Sequence, residues 1–484
     1  MIGERDGEAD DGVDAAPDSG PRWSSAVVDR LPDVRDGLTR LERVILWQLA
    51  VTGQERGGRM VPTAMLYGRV VEHVDVDERE FLRTVTTLVY RVGEPELKYL
   101  VCQHAWESAG HARFIRERGR ELSGFGTGET VRDSVRRIFV EAVGHAKSDP
   151  LVLTAGFYEV LKPALLDAYR HYLKVTDHLA DWPSKKLVEE FIADEERHLR
   201  EVAPFLKGVD AREWKLHLTQ ALDDLGGWLG QETRLPLAAG YVWQQDKTPY
   251  AHPSTCNRGK YPVCSSIFGF DPTEDPIVRP WLTDPKTDAR VIRMMVYVWL
   301  MMEMDAIDYL ATAFIDTPNA PFDLHHDLAR HLWDESRHSQ FGFRQLPKLG
   351  VDLMTVEHSL ELYNILVHMP AHERYAMMTM EFEAGSFPTK AHVMDRVREL
   401  SDFEADTLLA FDRNDEQNHV RFGHRWLPEM MTQFGETRPV EEFVKATQEK
   451  FKQMAKTYGN LTPHSLPKEK RLTGEKILKL ATAG

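Results

Sequence analysis

The pattern Asp-Glu-x-x-His occurs three times in this chain, at Asp194-Glu195-x-x-His198, Asp334-Glu335-x-x-His338 and Asp415-Glu416-x-x-His419. With 40 Glu, 36 Asp and 20 His among 484 residues, chance gives about 0.1 such patterns. The two later copies belong to a longer repeat. Asp334-Glu335-x-x-His338-x-x-Phe341-Gly342-x-Arg344-x-Leu346-Pro347 recurs as Asp415-Glu416-x-x-His419-x-x-Phe422-Gly423-x-Arg425-x-Leu427-Pro428, eight identities at a constant offset of 81 residues. On an α-helix, positions i and i+3 lie about 60° apart and one turn along. The Glu and His of each copy therefore point the same way and can share one metal ion. Two such helices facing each other in a four-helix bundle, with one Glu from each of the other two helices, hold two ions. Each copy thus requires a partner Glu upstream. Glu303 precedes Glu335 by 32 residues and Glu383 precedes Glu416 by 33, spacings that suit antiparallel helical hairpins. The predicted metal ligands are Glu303, Glu335, His338, Glu383, Glu416 and His419.

Most glutamates are solvated charges on helix faces. Glu303, however, interrupts MMVYVWLMMEMDAIDYL, and an unpaired carboxylate in so apolar a run is costly. Glu383 sits similarly in AMMTMEFEAGSF, where Glu381 is a rival; the hairpin spacing favours Glu383. The rest of the chain carries apolar residues at three- and four-residue spacing, with little of the alternation that marks strands. This predicts an all-α chain in two helical halves, 25–229 and 288–458. A connector rich in Pro, Gly and aromatics, 230–287, joins them and cannot form a long helix. Cys256 and Cys264 lie there with His252 nearby, but without the two closely spaced ligand pairs of a structural zinc site. Residues 1–24 read as a disordered acidic tail and 459–484 as a basic, solvated one.

Composition closes off other classes. Lys+Arg is 60 against Asp+Glu 76, a formal charge of −16, which argues against nucleic acid as the partner. Three cysteines cannot make a disulfide framework. The longest apolar run, 294–302, is too short to span a bilayer, and the acidic N-terminus has no signal-peptide character. The expectation is a cytoplasmic protein without a membrane anchor.

Glu303-Met-Asp-Ala-Ile-Asp308, Asp334-Glu335-Ser-Arg-His338, Phe382-Glu383-Ala-Gly385 and Asn414-Asp415-Glu416-x-x-His419-Val-x-x-Gly423-His424-Arg425-Trp426 resemble a ferritin-like family of unassigned function, related at the level of fold to tRNA-modifying di-iron hydroxylases. The resemblance covers about 290–430. It implies a carboxylate-bridged centre of two iron ions, with manganese as the alternative metal. Ser386-Phe387-Pro388 departs from the family pattern, and the first half is not clearly covered. That half reads as a divergent relative of the same bundle, making the expected fold two ferritin-like four-helix bundles in one chain. Its degenerate second site comprises Glu107, His111, Glu159, Glu195 and His198, with Glu78 or Glu80 as guesses for a fourth carboxylate. His424 is expected to point away from the centre. Tyr297, Tyr309 and Tyr375 lie on the proposed core helices, and 14 of the 17 methionines fall in 294–454.

Such a centre suits an O2-dependent di-iron oxidoreductase that hydroxylates, desaturates or N-oxygenates a small organic substrate. Electrons would come from an external reductase, because no Gly-x-Gly-x-x-Gly nucleotide fingerprint is present. The competing readings are a tRNA-modifying hydroxylase, a non-catalytic ferritin-like metal-binding or ferroxidase protein, and a metal-free scaffold.

Overall fold

The structure, a computed structural model, describes residues 78–123, 149–225, 252–253, 256–317 and 320–482. The proposed tail at 1–24, the helical stretch 131–146 and much of the connector lie outside the described residues. The chain is all-α. The first half contains α1 (Glu78–Arg91), α2 (Pro95–Ser123), α3 (Pro150–Gly156), a π-helical segment (Phe157–Leu161), α4 (Lys162–Val175), α5 (Trp182–Leu206) and α6 (Arg212–Leu225). After the connector come α7 (Arg279–Thr283), α8 (Ala289–Met301), α9 (Met304–Ile315), α10 (Phe322–Lys348), α11 (Glu361–Leu366) and α12 (Ala371–Ala376). A second π-helical segment (Met377–Glu383) leads into α13 (Ala384–Arg398), followed by α14 (Phe403–Gln433), α15 (Val440–Tyr458) and α16 (Gly474–Thr482). Among the described residues, strands are reduced to two-residue parallel pairs: β1 (Val263–Cys264) with β4 (His358–Ser359), and β2 (Phe268–Gly269) with β3 (Ile277–Val278).

Local chemistry sets the helix starts. The Asp288 carboxylate accepts from the Arg290 N–H at 2.8 Å and opens α8, and Asp402 accepts from the Ala405 N–H at 3.1 Å and opens α14. Helices α8, α10, α13 and α14 pack on one another in the second half, and α9 continues α8 after a break at Met302–Glu303. Both π-helical segments sit immediately around a residue of the clusters described below. Such insertions commonly mark functional positions.

The repeated Phe-Gly dipeptide has a packing explanation. A Cβ on Gly342 would run into the Tyr297 carbonyl and lie 2.5 Å from the Met301 backbone nitrogen, so α8 and α10 touch backbone to backbone there. One on Gly423 would meet the Thr379 side chain. Gly342→Ala is therefore expected to destabilise the protein by about 2 kcal/mol or more. The readout is a lower urea midpoint at unchanged m; Gly423→Ala costs less, since a side chain can move and a backbone cannot.

The two halves share a core. One apolar cluster runs from Leu82 through Phe157, Leu310 and Leu328 to Met430. Helix α2 lies along α10 and α1 along α9. Buried charges reinforce the seam: Lys98 of α2 pairs with Asp308 of α9, whose other oxygen accepts from Arg258 Nη1 at 2.5 Å.

The C-terminal segment corrects the solvated tail expected at 459–484. Ile477 and Leu472 are buried, α16 packs on α8, and the Leu472 N–H donates to the Thr355 carbonyl at 2.7 Å. Its lysines mask an amphipathic helix whose apolar face is covered.

Candidate metal centre

All six sequence-predicted ligands converge in the second half. Glu303 comes from the break between α8 and α9, Glu335 and His338 from α10, Glu383 from the end of the π-helical segment, and Glu416 and His419 from α14. Two further residues join them. His331 stands one turn before Glu335, and Asp412 one turn before Glu416. They are also 81 residues apart, so the repeat extends a turn upstream with non-identical residues of ligand type.

These residues form adjacent clusters joined by shared carboxylates. In the first, His331 Nε2 is 2.8 Å from Glu383 Oε1, and His419 Nδ1 lies 3.0 Å from the same atom and 3.3 Å from Glu335 Oε1. In the second, His338 Nδ1 lies 3.2 Å from Glu303 Oε2 and 3.6 Å from Glu335 Oε1. Glu303 also belongs with Asp412 and Glu416. Within each cluster the ligand atoms lie inside 4.8 Å of one another, a span that suits a metal ion, and because Glu303 is common to the last two, the three clusters make two positions. Glu335 is common to the first two.

The aspartate of each Asp-Glu-x-x-His serves the other copy. Asp415 Oδ2 is 3.3 Å from His338 Nε2, and Asp334 Oδ2 is 3.3 Å from His419 Nε2. With Nε2 held from outside, Nδ1 of each imidazole faces the cluster, which is the tautomer control that ligating histidines need. Arg337 spans the two aspartates, and Arg330 Nε reaches Asp334 at 2.7 Å.

A lysine occupies part of the centre. Lys390 of α13 pairs with Glu416, sits 2.7 Å from Asp412 Oδ1 and 3.7 Å from Glu303 Oε1. Ser386, in the stretch that departs from the family pattern, donates to Glu416 Oε2 at 2.9 Å.

Burial shapes the protonation of these groups. It pushes the Glu303 carboxyl up to about 7, with Lys390 opposing and Asp412 adding to the rise. It raises Glu416 well above the carboxylate range despite Lys390. Burial acts on Glu335 in the same sense, but the His338 and His419 imidazoles hold its carboxyl well below that range.

Several buried atoms here lack a hydrogen-bond partner: Glu303 Oε2, Glu335 Oε1, Glu383 Oε2, His331 Nδ1 and His338 Nδ1. Orphaned carboxylate and imidazole atoms are expensive in a protein interior. Four of these five atoms belong to predicted ligands, and a divalent cation in the cluster would satisfy Glu303 Oε2, Glu335 Oε1 and His338 Nδ1, which face one another. The donor set therefore fits metal ions.

Glu381, the rival to Glu383, turns instead to Gln448 of α15. His424 is exposed. Tyr375 is buried with its ring 6.1 Å from that of His331 and its hydroxyl without a partner. The Tyr309 hydroxyl meets Met378, and Tyr297 lies in a separate apolar cluster.

The first half gathers Glu107, His111, Glu195 and His198 but not Glu159. Glu159 is corrected: it pairs with Lys215 at 2.8 Å and is half-exposed. The side chains of Glu78 and Glu80 lie outside the described residues. In the connector, Cys264 approaches Glu357 and His464. Glu357 is already engaged by His464 Nδ1 at 2.6 Å and by the Leu466 N–H at 2.8 Å.

Residues 281–464 match a protein family described as "protein of unknown function (DUF455)". That span holds every predicted ligand of the second half and none of the first-half cluster. No curated protein and no solved structure matches the chain. Among the described residues, no helix is long and apolar enough to cross a membrane.

Proposed function

We propose that the second half binds two iron ions, with manganese as the alternative, and that the protein is an O2-dependent oxidoreductase acting on a small organic substrate. The observation that carries this reading is the set of orphaned, buried Glu and His atoms arranged about the shared Glu335. Mixed carboxylate and imidazole donors suit iron and manganese better than the thiolates that select softer ions. When bound, the metal supplies the redox chemistry of O2 activation, which no side chain in this chain provides.

The protein's own part is positioning and proton control. Glu335 would serve both metal positions, with Glu383 belonging to one and Glu303 to the other. Asp334 and Asp415 fix the ligating nitrogens, and Arg337 fixes both aspartates. Tyr375, whose ring lies 6.1 Å from that of His331 and whose buried hydroxyl has no partner, can hold a proton at its Oη. Electrons are expected from a separate reductase. The burial of the cluster favours this reading, because it keeps bulk water from the reacting atoms.

The test is anaerobic titration with Fe(II), metal analysis after gel filtration, and then O2 uptake. About two ions per chain and O2 consumption in proportion to bound iron are expected. Retention of fewer than about 0.2 ions per chain from either Fe(II) or Mn(II) would overturn the metal assignment. Iron accumulating far beyond two ions per chain would replace the oxidoreductase reading with storage.

A further inference from the structure

Eight residues of the first-half cluster repeat the order and many of the contacts of residues in the metal centre. His104, Glu107, Ser108 and His111 of α2 each stand 227 residues before His331, Asp334, Glu335 and His338. Lys162, Asp194, Glu195 and His198 each stand 221 residues before Glu383, Asp415, Glu416 and His419. The contacts follow the same correspondence. His104 stacks on His198 at 3.8 Å between ring centroids, as His331 stacks on His419 at 3.7 Å. His198 Nε2 meets Glu107 at 2.5 Å, as His419 Nε2 meets Asp334. His111 Nε2 meets Asp194 at 3.2 Å, as His338 Nε2 meets Asp415. Arg197 reaches both Glu107 and Asp194 at 2.9 Å, the place Arg337 takes between Asp334 and Asp415. Even the π-helical segments correspond, one ending just before Lys162 and the other at Glu383.

Among these eight matched positions, two ligands differ; a third ligand, Asp412, has Phe191 at the same 221-residue offset. The shared carboxylate Glu335 is replaced by Ser108, and Glu383 is replaced by Lys162. The Ser108 and Lys162 replacements alone make the matched positions three charge units more positive, and Phe191 in the place of Asp412 removes one more carboxylate. The ammonium of Lys162, fully buried, lies 2.5 Å from Glu195 Oε2 and 3.0 Å from His198 Nδ1. It thus touches the carboxylate and the imidazole nitrogen that a metal would take. The orphaned atoms disappear accordingly. Of the eight corresponding first-half residues, only Ser108, through its Oγ, keeps a buried polar atom without a partner, and it stands where the shared carboxylate is missing. A second cation in contact with Lys162 would meet strong repulsion at low dielectric.

We propose that this cluster is a metal-free copy of the centre in which Lys162 is the resident cation, and that its work is to lock α4 to α5 rather than to bind metal. Helix α5 packs on α2, and α2 lies along α10. The locked cluster therefore supports the outer side of the helix that presents Glu335 and His338.

The experiment uses the full chain, with Mn(II) as the probe and EPR of bound ion as the readout. Glu335→Ala/Glu383→Ala, which disables the second half, is expected to bind fewer than about 0.1 ions per chain. Adding Ser108→Glu and Lys162→Glu to that background is expected to restore binding of at least one ion. Binding by the background variant that is lost on Glu195→Ala would overturn the proposal, as would a folded four-site variant that binds none. Should the four-site variant not fold, Lys162→Met in the native chain decides. It is expected to lower the Tm by roughly 5 °C or more with Mn(II) stoichiometry unchanged, because the buried Glu195 loses its ammonium partner and keeps only the imidazoles of His111 and His198 at 3.8 and 3.6 Å. An unchanged Tm, or an added ion, would overturn the proposal. These readings do not depend on any oxidase activity, so they stand apart from the proposed reaction.

Discussion

Glu335→Ala is expected to empty the whole metal centre, whereas Glu195→Ala leaves it full. Glu335 Oε1 is within reach of His338 Nδ1, His419 Nδ1 and His331 Nε2 at 3.6, 3.3 and 3.8 Å, so one carboxylate serves two clusters. Its loss removes a negative charge from both and leaves three imidazoles facing a void. Metal affinity should fall by on the order of 100-fold or more at each position, since even residues that only support a ligand are worth 10- to 100-fold. Anaerobic equilibrium dialysis against Fe(II), followed by elemental analysis, reads this directly. Retention of one ion by Glu335→Ala would show that the clusters act independently and that Glu335 is not shared. The second-half imidazoles give the same contrast by NMR: Fe(II) should shift His331, His338 and His419 in the wild type and leave all three unshifted in the variant.

The helices and the six predicted ligands were legible in the sequence for one reason. Helical geometry turns a three-residue spacing into a shared direction, and an internal repeat separates that spacing from chance. Other residues of the clusters carry no such signature. His331 and Asp412 occupy equivalent turns, but a histidine replaces an aspartate, so identity matching passes over them. Lys162 and Lys390 are single lysines in helical sequence, and only the tertiary structure shows that each ends among carboxylates. Glu159 is a carboxylate in helical sequence with nothing local to say which way it faces; the helix turns it to Lys215. The C-terminal lysines likewise suggested solvent, because the helix that covers Ile477 is far away in sequence.

Lys390→Met should strengthen binding at the second metal position while weakening the metal-free protein. The Lys390 ammonium touches Glu416 and Asp412 and lies 3.7 Å from Glu303. A divalent ion taking those oxygens must displace it. Methionine keeps much of the side-chain volume and removes the competing charge, so the second ion should bind on the order of 10-fold more tightly. Without metal, the same substitution strands three buried carboxylates, an arrangement that costs several kcal/mol, about 3–5 in comparable cases. The pH dependence has a definite sign. The Glu303 carboxyl already stands near 7 in the folded protein, above its ordinary value of 4.5, and Lys390 is what restrains it. A carboxyl with a raised folded pKa contributes stability that is full below its unfolded pKa and is lost as pH rises through the folded one. The metal-free variant should therefore melt progressively lower from pH 5 to pH 8, more steeply than the wild type. Saturating Mn(II) should largely restore its Tm, because bound cation replaces the missing ammonium. Equal metal affinity in the variant and the wild type would mean that Lys390 yields without cost, and would remove it as a competitor for the site.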